Sequence, residues 1–183
     1  MANFNQELQP PIYDRSRSAN FERAKKAAAS IFSQYCDNCV PVDPLKVARL
    51  LGLGVQFTQF RSEISQNILG LLEIGQNTIY VNSELPTNRA TFTIAHEIGH
   101  FVLHRPWAES QQYDAFWRSP NWARGNKPPE EQEADCFASN LLVPRHILKN
   151  FMQMEDDDRA LAQAFCVSED VIFYAKQDVI WWR

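Results

Sequence analysis

Between Asn20 and Tyr35 apolar residues return every three to four positions, with Phe21, Ala24, Ala27, Ala28, Ile31 and Phe32 on one side of a predicted helix. A shorter helix is predicted up to about Leu51, with Asp43 as its N-cap and Pro44 in its first position, ended by Gly52 and Gly54. The pattern then changes period. Val55 and Phe57 alternate within 54–60, the run 68–74 is largely apolar, and 78–81 is β-branched and aromatic. These segments read as strands, the last two joined at Gly75-Gln76-Asn77 by a hairpin-type connection.

Helical spacing resumes after a turn at 83–88, where Pro86 precedes two candidate N-caps, Thr87 and Asn88. This helix is expected to reach about His104, burying Phe92, Ala95, Ile98, Phe101 and Val102. Residues 105–129 read as a long irregular stretch, with Pro106, Pro120, Pro128 and Pro129 and the aromatics Trp107, Tyr113, Phe116, Trp117 and Trp122. Loops of this length are functional or disordered, and the aromatics speak against disorder. A lid, an exosite and a packed surface insertion all stay open. A clean apolar face, Ala134, Phe137, Ala138, Leu141 and Leu142, then defines a helix over 130–143 that Pro144 stops. Beyond an acidic break at 155–158, two short helices are expected around Val167-Ser168.

The chain has 183 residues, which suits one domain. It divides into a flexible N-terminal lead (1–19), a main domain (20–145) and a small helical C-terminal segment packed on the core (146–183). No apolar run is long enough for a signal-peptide core or a membrane span, so a cytoplasmic location is expected. Cys36, Cys39, Cys136 and Cys166 are then free thiols, and Cys36-Asp37-Asn38-Cys39 reads as an inert pair at a helix end. A net charge of −4 argues against a broad electrostatic footprint for nucleic acid or anionic membrane.

The chemistry is concentrated in Thr93-Ile94-Ala95-His96-Glu97-Ile98-Gly99-His100, a His-Glu-x-x-His pattern on a predicted helix. Residues four apart share a helix face, so both imidazoles can reach one metal ion at roughly 2.0–2.1 Å. Glu97 is poorly placed as a co-ligand and well placed to take a proton from a water polarised by the metal. Chance could produce two histidines one turn apart. Ile94, Ala95 and Ile98, however, would carry this pair inside, where two imidazoles and a carboxylate are hard to satisfy without a metal.

Catalytic zinc needs a third protein ligand and an open position. The position six beyond His100 is Pro106, so a third histidine at that spacing is excluded. The acids opening the downstream helix, Glu130, Glu131, Glu133 and Asp135, are all in play, and periodicity places Glu130 nearest the centre of the apolar face. Some of them would merely favour the helix dipole.

Arg89, Phe92 to His100, Glu133-Ala134, Phe137-Ala138 and Leu141-Leu142-Val143-Pro144 together resemble the ImmA/IrrE metallopeptidases, a gluzincin-like family. The resemblance spans roughly 40–145 and is far more specific than the histidine pair. It implies an α+β, zincin-like fold: a small mixed β-sheet packed beside the His-Glu-x-x-His active-site helix, followed by a helical C-terminal segment. It also implies Zn2+ held by His96, His100 and Glu133, with Glu130 the second choice for the third ligand and Glu97 as general base. Substrate would add as an extended strand to the sheet edge, for which 78–82 is the candidate.

The family cleaves helix-turn-helix transcriptional repressors, so a protein substrate of that kind is implied. Neither membrane association nor direct nucleic-acid binding is expected. The alternative is a latent or non-catalytic metal-binding regulatory module acting through protein or DNA contacts. Glu97 counts against it, since structural zinc has no use for a base. Residues 161–168 resemble the turn of a helix-turn-helix, but Glu169 and Asp170 open the would-be reading helix with the wrong charge. His104 reads as a capping residue near a helix end, and Tyr113 as a weak oxyanion candidate.

Overall fold

The computed structural model describes residues 17–60, 68–110, 115–118 and 127–181. Helix α1 (Phe21–Tyr35) starts at Asn20, whose side chain accepts from the Arg23 amide, and buries Ala24, Ala28, Ile31 and Phe32. Helix α2 (Pro44–Leu50) is capped by Asp43, which accepts from the amides of Leu45 and Lys46. Strands β1 (Gly54–Thr58), β2 (Gly70–Glu73) and β3 (Thr78–Asn82) follow, then α3 (Thr87–Ser110), β4 (Ala115–Arg118) and α4 (Pro129–Leu142). Three helices close the chain: α5 (Arg145–Phe151), α6 (Asp158–Phe165) and α7 (Glu169–Trp181).

The sheet runs β1-β3-β2-β4. β1 pairs with β3 in parallel, and β2 pairs antiparallel with both β3 and β4. This is the expected α+β architecture with a small mixed sheet beside the motif helix. One detail is corrected: β3 is an inner strand and not the edge. All five of its residues are buried, as an inner strand requires, while β1 on its outer side is largely exposed.

Three other expectations change. α3 continues past His104 and carries Pro106 within it. Buried Ala108 and the Arg105–Glu109 pair, one turn apart at 2.6 Å, hold the last turns despite the lost backbone bond. Part of the stretch expected to be irregular forms β4, whereas Tyr113, Pro120 and Trp122 lie outside the described residues. α5 was not expected; it buries only Leu148, too little to make a periodic pattern.

Two glycines set the distances around α3. A Cβ on Gly70 of β2 would run into the Thr93 methyl group and stand 3.4 Å from Glu97 Oε1. A Cβ on Gly99 would lie 3.1 Å from the Phe137 ring and 3.2 Å from Ala134 Cα. The sheet and α4 therefore approach opposite sides of α3 closely. One hydrophobic core joins these elements to Leu148, Leu161, Phe165 and Ile172 of the C-terminal helices.

Candidate metal centre

His96 and His100 project from one face of α3 toward the first turn of α4. Their Nε2 atoms are 3.1 Å apart. Glu131 reaches both rings, with Oε1 2.9 Å from His100 Nε2 and Oε2 3.3 Å from His96 Nε2. Tetrahedral bonds of roughly 2.0–2.1 Å separate neighbouring donors by about 3.3 Å, close to these three separations. The residues fit a metal ion: two imidazoles and one carboxylate, all without exposed surface, converge on one point.

Electrostatics favour ligand-competent protonation states. Burial pushes the His100 imidazole down to about 3. Burial also opposes the charge on Glu131, yet His100 and His96 hold its carboxyl well below the usual range. Neutral imidazole and ionised carboxylate are the forms that bind metal.

Each histidine is held from behind. His96 Nδ1 lies 2.8 Å from Asp135 Oδ1, and Asp135 is paired with Lys127. His100 Nδ1 lies 3.0 Å from His104 Nδ1, and His104 Nε2 is 2.8 Å from Glu133 Oε2. Glu133 in turn receives Arg17 Nη1 at 2.5 Å and the Asn20 amide at 2.7 Å. Burial would raise its carboxyl, but His104, Arg17 and the Asn20 amide bring it down to about 2. Glu130 takes the same arginine at 2.8 Å.

Among the residues expected at the site, the structure brings His96 and His100 together and seats Glu97 on the same buried helix beside β2. It does not bring Glu133 or Glu130 to the imidazoles. Glu133 faces His104 and Arg17, Glu130 faces Arg17, and the carboxylate that meets both rings is Glu131. A sequence signal for Glu131 existed: it stands three residues before Ala134, on the same helix face as the small residue against which Gly99 packs. His104 is not a free cap but part of the buried network.

Residues 48–175 match the model of the IrrE N-terminal-like domain, peptidase family M78. The chain belongs to that family. A search among curated proteins gives no match. The family is one of peptidases, and with the buried His–His–Glu group it supports a metallopeptidase acting on protein substrates. No helix among the described residues is long and apolar enough to cross a membrane.

Proposed function

We propose that the protein is a zinc-dependent endopeptidase in which His96, His100 and Glu131 hold the metal and Glu97 is the general base. The observation that carries this reading is the convergence of two imidazole Nε2 atoms and the two Glu131 oxygens, at separations of 2.9–3.3 Å, beside a buried glutamate that is not part of the group. Zinc bound there supplies Lewis acidity to a water and to the scissile carbonyl. Glu97 takes the proton of the attacking water and returns it to the leaving amine. Gly70 lets β2 come close to it: a Cβ there would stand 3.4 Å from Glu97 Oε1.

Substrate in extended form suits an outer strand, which moves the strand-addition site from β3 to β4. β4 follows α3 in the chain and lies beside β2, whose Gly70 borders Glu97. A helix-turn-helix repressor as substrate is supported by the family resemblance alone. A cytoplasmic site of action agrees with Cys36, Cys39, Cys136 and Cys166 as free thiols. One observation favours the second reading, a latent module: His96, Glu97, His100 and Glu131 have no exposed surface, so substrate needs an opening step.

Metal content and cleavage of a repressor panel, measured together, test the proposal. One equivalent of zinc is expected in wild type and in Glu97→Gln, with cleavage only by the former. Glu131→Ala should lose zinc while Glu133→Ala retains it, though more weakly. Zinc retained by Glu131→Ala and lost from Glu133→Ala would return the third ligand to Glu133. Zinc bound with nothing cut by wild type would favour the latent module.

A further inference from the structure

We propose that His104 is a positioning residue for the metal centre, holding the ring proton of His100 on Nδ1 through a buried line of His104, Glu133 and Arg17. The inference rests on the reading of His96, His100 and Glu131 as metal ligands.

His100 Nε2 faces His96 and Glu131, so that nitrogen must offer a lone pair to the ion. Its other nitrogen stands 3.0 Å from His104 Nδ1, a separation that requires one proton between the two rings. If His104 supplies that proton, a neutral His100 carries its own on Nε2, where it blocks the metal. If His100 supplies it, Nε2 is free. The second ring decides between the two. Glu133 Oε2 lies 2.8 Å from His104 Nε2 and can only accept, so in its neutral form His104 donates there and has its lone pair at Nδ1, facing His100. Arg17 and the Asn20 amide keep that carboxylate charged and in place. His100's tautomer is thus tied to Arg17 and Asn20, just before α1 and eighty or more residues back along the chain.

His104 is also the wrong side chain for a merely structural filler. It is 2% exposed on α3, with the His100 ring on one side and the Glu133 carboxylate on the other, two polar groups that an apolar side chain would leave unmatched. An imidazole or a carboxamide can accept at one atom and donate from another.

The test uses the full chain loaded with zinc. Long-range proton–nitrogen NMR should place the ring proton of His100 on Nδ1 and that of His104 on Nε2. Chelator competition should find zinc bound about 10–100-fold more weakly by His104→Met. His104→Gln, whose carbonyl accepts and whose amide donates, should recover most of the loss. A proton on His104 Nδ1 overturns the proposal, as does wild-type affinity in folded His104→Met or an equal loss in His104→Gln. The NMR result decides if the methionine variant does not fold. Wild type that binds no zinc removes the metal reading itself; wild type that binds zinc with the wrong tautomer removes only the role of His104.

Discussion

His96 leans on Asp135, a carboxylate 37% exposed and paired with Lys127, whereas His100 leans on His104 and Glu133, both enclosed. The two imidazoles have the same proposed task and sit one turn apart, yet one support is at the solvent edge and the other is inside the core. Charges near water are screened and replaceable, while a buried charged group must keep its partners. The His100 side should therefore be coupled to folding, and the His96 side to metal binding alone.

The largest expected effect comes from emptying the enclosed support. Glu133→Ala leaves Arg17 and His104 without their shared carboxylate. Breaking a fully buried pair costs roughly 3–5 kcal/mol. Arg17 is 34% exposed, so about 2–3 kcal/mol is the expected loss in urea unfolding of the metal-free protein. A loss no larger than that of Asp135→Ala would break the distinction between the two sides.

The same contrast explains what could be read from the chain. The helix beginning at 87, the strand runs and the juxtaposed histidine pair were legible because each depends on local spacing: a period of 3.6, a period of 2, and two histidines four apart. The carboxylate that meets that pair was not. Glu130, Glu131, Glu133 and Asp135 all open one helix, and each satisfies the local rule of an acid in the first turns. Which of them meets the imidazoles depends on how α4 is rotated against α3, and that is set by the contact of Gly99 with Ala134 and Phe137. The place of β3 was hidden for a similar reason. Its parallel pairing with β1 joins segments some twenty residues apart, and nothing inside Thr78–Asn82 announces it. Pro106 misled in the opposite direction, a strong local stop overridden by buried Ala108 and the Arg105–Glu109 pair.

Gly99 gives the intermediate prediction, because it lies between the two supports and should disturb both. In Gly99→Ala the new methyl meets Ala134 backbone at 3.2–3.3 Å, and backbone yields less readily than a side-chain end. Overpacking of this kind costs about 1–3 kcal/mol. The shift of α4 should also carry Glu131 away from the rings and weaken zinc binding. Undiminished zinc affinity in a destabilised Gly99→Ala would mean that the helix spacing does not set the metal geometry.

The smallest effect on folding, and the sharpest test of the comparison, is at Asp135. Its carboxylate meets His96 Nδ1 from a partly exposed position, with Lys127 as a second partner. Asp135→Asn keeps an acceptor of nearly the same shape and removes the charge. Unfolding free energy should move by less than about 1 kcal/mol, as for other partly solvated pairs. Zinc affinity should nonetheless fall about tenfold, because the charge behind His96 raises the basicity of the nitrogen that faces the metal. Stability and affinity are thus expected to separate at Asp135 and to fall together at Glu133. If Asp135→Asn destabilised the metal-free protein as much as Glu133→Ala, exposure would not be what divides the two supports, and the Lys127 contact would have to count as part of the core.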